Sequence, residues 1–156
     1  MTAEEIRSVV AAVPDPEIPV LTIDDLGILR DVVVEGERVR VVITPTYSGC
    51  PAMDAIRADI TAALVEQGCA DVEVETVLSP AWSTSWMTEA GRSKLADYGI
   101  APPRARGPVE VGLGGLTCPQ CGSRDTEELS RFAATACQSS WRCRACREPF
   151  AHFKDH

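Results

Sequence analysis

Cys118-Pro-Gln-Cys121 and Cys143-Arg-Ala-Cys146 are two CxxC pairs separated by twenty-one residues. A CxxC turn puts two sulfurs on one side of a tight loop. Two such loops facing each other make a tetrahedral thiolate cage, the geometry Zn²⁺ accepts. Protein then fills every ligand position, so the site is closed to water and structural. The segment between the pairs is too short to enclose a large apolar core, and the metal takes the place of one. Two rivals share the motif. A redox CxxC pair requires a thioredoxin-like βαβ setting, which the pattern lacks. Iron fits the same four sulfurs, and ligand identity alone does not separate it from zinc.

The chain has 156 residues, room for one domain of about 100 residues ahead of this small tail. With 45% hydrophobic and 24% charged residues, the composition is that of a globular protein. No apolar run reaches the length of a membrane span, and the first ten residues lack the apolar core of a secretory signal. Seven cysteines in such a chain point to metal or thiol chemistry in a reducing, cytoplasmic setting rather than to a disulfide framework. The net charge of −8 lies entirely in residues 1–107, which carry 9 basic and 17 acidic side chains, while residues 108–156 carry 6 of each. That balance argues against nucleic acid as the main partner.

Local patterns predict the elements. Thr2 and Glu5 form a capping box ahead of Ile6, Val9, Val10 and Val13 at helical spacing. Asp15-Pro-Glu-Ile-Pro19 is kept extended by its prolines. Leu26–Val34 and Val39–Thr44 read as a β-hairpin turning at Glu35-Gly-Glu37. Pro51 opens a helix that buries Ile56, Ile60, Ala63 and Leu64 and stops near Gly68. Val72–Leu78 is a third strand, and Thr88–Tyr98 a further helix. Three prolines mark a linker near residue 104. Within the tail, residues 127–132 and 140–142 are expected as short strands. The expected architecture is α/β (α+β): a small mixed sheet covered by helices over residues 1–103, a linker at 104–108, and a four-cysteine ribbon over 109–156.

Candidate chemistry outside the cage centres on Cys50. With Pro51 as the first helical residue, Cys50 occupies the N-cap, where free N–H groups and the helix dipole stabilise a thiolate. The competing reading is a buried cysteine acting as a small hydrophobe. Asp15 and Glu17 offer oxygen ligands or a hydrogen bond near Cys50 in a rigid loop, although the pattern favours Asp15 capping or closing a turn. Trp82 and Trp86 form either a docking surface or part of the core. Cys69, at a helix end, reads as structural, and Cys137 either replaces one ribbon cysteine or is a spare thiol beside the knuckle. His152 and His156 have a zinc-finger-like spacing, but they lie too far from Cys121 for a finger, and the four cysteines fit better. Both histidines fall in the last five residues, which leaves the main domain only carboxylates as general bases and weakens an enzymatic reading.

Asp15-Pro-Glu-Ile-Pro19, Asp25-Leu-Gly-Ile28 and Thr46 with Cys50-Pro51 resemble the iron–sulfur-assembly carrier domain of SufT-like proteins. Pro45-Thr-Tyr-Ser-Gly-Cys-Pro51, Pro80-Ala-Trp82 with Trp86, Gly91-Arg92, Tyr98-Gly-Ile-Ala-Pro-Pro103 and Cys118-Pro-Gln-Cys121-Gly122 are similar to the PaaD-type family of the phenylacetyl-CoA epoxidase system. The resemblance implies a non-catalytic accessory factor of aerobic phenylacetate degradation. Such a factor helps assemble or deliver an iron–sulfur or di-iron centre to the oxygenase or reductase subunits. It places Cys50 as transfer ligand, with Asp15, Glu17 and Thr46 nearby, a structural zinc on Cys118, Cys121, Cys143 and Cys146, and a transient iron–sulfur cluster or iron as cargo. One thiolate cannot hold a [2Fe–2S] cluster, so a homodimer or a site shared with the client follows. The alternative is a structural adaptor that docks the oxygenase and reductase subunits without handling metal. Neither nucleic acid nor membrane is an expected partner.

Overall fold

The computed structural model describes residues 1–47, 51–103, 115–133, 135 and 137–154. The chain divides into two compact units, Met1–Gly91 and Arg92–His156. The linker expected at 104–108 lies outside the described residues.

The first unit begins with α1 (Ala3–Ala11). Both halves of the predicted capping box form: Glu5 N–H donates to Thr2 Oγ1 at 3.2 Å, and Thr2 N–H donates to Glu5 Oε2 at 2.6 Å. Ile6 and Val10 point inward one turn apart. The chain from Val13 to Ile28 has no helix or strand, yet it buries Val13, Ile18, Leu21, Ile23, Leu26 and Ile28. It folds on itself through Asp15 N–H to the Leu21 carbonyl (2.8 Å) and Ile23 N–H to the Val13 carbonyl (2.9 Å).

The hairpin strand is shorter than expected: β1 covers Leu29–Glu35. Leu26–Ile28 turn instead, because Gly27 sits at φ +74°, and a Cβ there would meet the Trp86 carbonyl oxygen at 2.5 Å. Strand β2 (Arg38–Ile43) pairs antiparallel with β1, and Glu35 opposes Arg38 across a two-residue turn containing Gly36 at φ +63°. Helix α2 (Ala52–Glu66) then crosses to β3 (Asp71–Thr76), which lies parallel to β2. The result is a mixed three-stranded sheet in the order β1-β2-β3, as the patterning predicted. Val39, Val41 and Ile43 face the core together with Ile56, Ile60 and Leu64 of α2. At the end of α2, Gly68 N–H bonds the Val65 carbonyl and Cys69 N–H bonds the Leu64 carbonyl, with Gly68 at φ +92°. This left-handed stop satisfies carbonyls that the helix leaves open.

Beyond β3, a stretch that ends in a short 3₁₀ turn (Thr84–Trp86) lays Trp82 and Trp86 onto the folded 13–28 segment. Trp82 is buried and its Nε1–H donates to the Leu26 carbonyl at 2.8 Å. Trp86 is half-buried beneath the Arg30 guanidinium, 3.8 Å from the ring centre. The core alternative therefore holds for Trp82. Helix α3 (Glu89–Tyr98) starts where Thr88 N–H reaches the Asp25 carbonyl (2.9 Å) and Thr88 Oγ1 accepts Gly91 N–H (3.0 Å).

The second unit is a four-stranded sheet in the order β4-β7-β6-β5. Its strands are β4 (Ile100–Ala101), β5 (Thr126–Ser130), β6 (Gln138–Cys143) and β7 (Pro149–Phe153). Strands β5, β6 and β7 run antiparallel, and β4 adds on parallel to β7. Strands β5 and β6 match the two expected strands in place. Strands β4 and β7 escaped the pattern, being too short to show periodicity. Around the cysteines a small cluster gathers Ala101, Leu116, Cys118, Cys143 and Phe150, flanked by Trp141 and Cys146, and Leu95, Ile100 and Phe153 of this unit are buried as well.

Candidate metal centre

Both CxxC turns are built alike. In the first, Cys118 N–H donates to the Ser123 carbonyl at 2.8 Å and Gly122 N–H returns to the Cys118 carbonyl at 2.9 Å. Gln120 N–H points at Cys118 Sγ, 3.4 Å away. In the second, Cys143 N–H donates to the Glu148 carbonyl at 3.0 Å, the same five-residue closure. The residue after each second cysteine is left-handed: Gly122 at φ +77° and Arg147 at φ +66°. Glycine takes that conformation freely, whereas for arginine it costs about 1–2 kcal/mol. The strain persists because this turn is what aims Cys143 and Cys146 at the first pair.

The four sulfurs lie within 4.8 Å of one another. Cys118 and Cys146 are 3.8 Å apart, and Cys121 and Cys143 3.6 Å. Zinc–sulfur bonds of about 2.3 Å in a tetrahedron space the sulfurs about 3.8 Å apart, so the donor set and its size fit a zinc ion. The electrostatics agree. The Cys143 thiol is lowered to about 7, chiefly by the Cys146 backbone N–H. Cys146 is pushed up to about 12: the Glu148 N–H pulls it down, but burial and the neighbouring thiols Cys143, Cys118 and Cys121 outweigh it. One thiolate forms readily and the next is resisted, which is the situation a divalent cation relieves. A bound zinc would have no open coordination position, so its work is to hold the fold.

The other predicted residues fall elsewhere. His152 is buried with Nδ1 3.1 Å from the Ala101 carbonyl, outside the sulfur cluster. His156 lies outside the described residues. Cys137 is also outside the cluster, buried with Sγ 2.9 Å from Thr135 Oγ1. Asp15 is buried, and its Oδ1 accepts N–H bonds from Glu17 and Ile18, both at 2.8 Å, so it does close a turn. Burial raises its pKa against the pull of those two bonds. Glu17 is raised as well, by burial first and by the Asp15 charge second. A cation at this loop would relieve both. Thr46 is half-buried in the connection between β2 and α2. Cys50 lies outside the described residues. The N-cap of α2 falls on Pro51 rather than on Cys50, with no side chain capping it, because proline's φ of −67° already suits the helical turn.

Two residues in this region had no chemical role in the sequence reading. Asp25 exchanges bonds with Thr22 (Asp25 N–H to Thr22 Oγ1 and Thr22 N–H to Asp25 Oδ2, both 3.1 Å) while its carbonyl holds Thr88. The Thr-x-x-Asp spacing was the available signal. Thr44, at 1% exposure, buries a hydroxyl that has no hydrogen-bond partner among the described residues, and a threonine at the end of a strand gives no warning of that.

Comparison with known proteins gives two family matches. Residues 3–76 match the family described as iron-sulfur cluster assembly protein, and residues 110–154 the PaaD zinc beta ribbon domain. The chain is 46% identical to a putative 1,2-phenylacetyl-CoA epoxidase subunit of Escherichia coli K12, over 96% of this chain and 91% of that protein. It is 33% identical to an Fe-S protein maturation auxiliary factor of Porphyromonas gingivalis, over 60% of this chain and 90% of that one. Among solved structures, a domain of unknown function from Bacillus anthracis (DUF59) matches with a TM-score of 0.56 at 27% identity, covering 60% of this chain and 90% of its own. A conserved hypothetical protein from Thermotoga maritima matches with a TM-score of 0.51 at 29% identity, over 61% and 94%.

Proposed function

This chain belongs to the PaaD-type family, an iron–sulfur-assembly domain followed by a zinc ribbon, and from that membership we propose that it is a non-catalytic maturation factor. Its client is the phenylacetyl-CoA epoxidase system, and its cargo is iron or an iron–sulfur cluster passed to the oxygenase or reductase subunits. Residues 1–103 supply the carrier part and 109–156 the zinc-bearing ribbon, with β4 (Ile100–Ala101) lent to the ribbon sheet. Cys50 is the transfer ligand, with Asp15, Glu17 and Thr46 supplying the acidic and hydroxylated surroundings, and the work is done in the cytoplasm.

The observation that carries this reading is the likeness, over nearly the whole chain, to a protein named as an epoxidase component, joined to an assembly-family match over residues 3–76. The chemistry supports it. The cage uses all four of its cysteines on one structural ion, so cargo must be held elsewhere. Asp15 and Glu17 share a loop in which both carboxyls are pushed up, an environment that a cation improves. One thiolate leaves a cluster short of ligands, so the cargo is shared with the client or with a second copy of the chain.

Metal and acid-labile sulfide analysis of anaerobically purified protein, wild type beside Cys50→Ser, tests this. The expected result is about one zinc per chain in both, with iron, sulfide and client loading in the wild type alone. Cys50→Ser protein that still supports full metal loading of the client would sink the transfer role and leave the adaptor reading.

A further inference from the structure

Strand β1 is one edge of the three-stranded sheet. Its hairpin partner β2 faces it in a fixed phase: Glu35 opposes Arg38 across a two-residue turn, Val33 opposes Arg40, and Asp31 opposes Val42. The pair that closes a two-residue turn is hydrogen-bonded, and bonded pairs alternate along an antiparallel ladder. Val32 and Val34 therefore turn their backbone N–H and C=O groups away from β2. The Val32 N–H agrees with this phase, because it donates to Asp31 Oδ1 at 2.8 Å and not to a strand. Among the described residues no strand pairs with this edge. The edge is apolar where it is open: Val32, Val33 and Val34 are half-buried, between exposed Asp31 and Glu35.

The same register sorts the side chains. Val32 and Val34 stand opposite Val41 and Val39 on the core face, and Asp31 and Glu35 fall on the outer face. Arg38 and Arg40 share that outer face, but both are committed to β3: Arg38 to Glu73 at 2.6 Å and Arg40 to Glu75 at 3.1 Å. Asp31 and Glu35 form no ion pair among the described residues. The imbalance runs through the unit, since Met1–Gly91 holds sixteen acidic side chains, five arginines and no lysine. A second copy is a poor occupant. Laying β1 antiparallel on another β1 brings the Asp31 and Glu35 carboxylates opposite or diagonal to one another, and like charges so placed repel. A strand with cations at those positions meets attraction there instead.

We infer that the free edge of β1 is a docking site for an extended, basic partner segment, which adds to the sheet as a further strand. The backbone of the segment bonds the outward groups of Val32 and Val34 and displaces the Asp31 carboxylate from the Val32 N–H. Side chains alternate along a strand, so its apolar residues cover Val32 and Val34 while its Lys or Arg residues meet Asp31 and Glu35. This goes beyond the proposed function and does not depend on it, because the partner is defined by its own charge and alternation.

The test uses the full zinc-loaded chain, ¹⁵N-labelled and titrated with a blocked synthetic peptide, Gly-Lys-Val-Thr-Val-Lys-Gly. One control peptide carries Gln for both Lys, and another N-methylvaline for both Val. Shifts centred on the Val32 and Val34 amides are expected. Affinity should fall about tenfold for the Gln peptide and for the double variant Asp31→Asn with Glu35→Gln, since each loses two opposed charge pairs. The N-methylated peptide lacks the donors that strand addition needs and should not bind, and added salt should weaken the Lys peptide. Unchanged zinc content and β2 and β3 signals verify that the variant folds. The inference is overturned if millimolar Lys peptide moves no β1 resonance, which makes the two carboxylates a guard against edge pairing. It is overturned if the Gln peptide binds equally well, or if the N-methylated peptide does, which puts the peptide on the sheet face and not on the edge. It is also overturned if the wild type is a dimer whose Val32 and Val34 amides shift on dilution, which makes a second copy the occupant.

Discussion

Met1–Gly91 and Arg92–His156 solve the problem of stability in opposite ways. The first unit packs α1, α2, a three-stranded sheet and a folded loop around fully buried aliphatics such as Val10, Leu21, Ile23, Val41, Ile60 and Leu64. In the second, a cluster of five buried residues includes two cage cysteines, so there ligation and packing are the same contacts. A small domain with so little apolar burial relies on a metal in place of a core. The charge pattern follows the same line. The acidic excess sits with the large core, where folding tolerates it, and the ribbon is balanced.

The comparison breaks most sharply if zinc is removed. Chelation, or Cys143→Ala, is expected to unfold the ribbon and leave the amide spectrum of residues 1–76 intact, since structural zinc contributes on the order of 10–16 kcal/mol in small domains. A ribbon that keeps its dispersed β5–β7 signals without metal would overturn the metal-for-core argument. Conversely, Ile60→Ala opens a cavity in the aliphatic core. It should destabilise the first unit by about 2–5 kcal/mol in urea unfolding while zinc content stays unchanged. Loss of zinc in that variant would mean that the two units do not stand apart energetically.

A smaller effect sharpens the account of the two knuckles. Arg147→Gly relieves the left-handed arginine and makes the second turn match the first. Ribbon stability at fixed zinc concentration should rise by about 1 kcal/mol, whereas a fall would show that the Arg147 side chain holds the turn.

The smallest effect concerns the acidic loop. Burial raises the Asp15 pKa above that of an ordinary aspartate, so the folded protein binds this proton more tightly than the unfolded chain. The sign follows. Stability linked to Asp15 is greatest below the unfolded pKa and declines as pH rises to the raised folded value. Asp15→Asn keeps an Oδ1 acceptor for Glu17 and Ile18 and should flatten that decline. Denaturant midpoints measured across the carboxylate range check it, and parallel pH profiles for the two proteins would remove Asp15 from the account.

Much of the site was legible because its signals are local. CxxC spacing announces paired sulfurs, a capping box starts α1 and is satisfied within four residues, and alternating aliphatics draw β2 and β3. Misreadings arose where contacts are distant. Leu26–Ile28 look like strand, but the Gly27 backbone turns against Trp86, far along the chain. Trp82 offered itself equally as docking residue and core, and a bond to the Leu26 carbonyl decided the matter. Strand β4 is two residues long, and only its register with Ala151 and His152 makes it a strand.

By itself, the sequence determined the candidate metal ligands, the order of elements from α1 to β3, and the division of charge, because each depends on neighbours in the chain. Tertiary structure alone decided that Trp82 sends its indole N–H to the Leu26 carbonyl, that Arg147 accepts a glycine's conformation, and that Phe132 stays exposed on the ribbon. Those outcomes depend on which surfaces meet and how much water they exclude, and no local pattern records either.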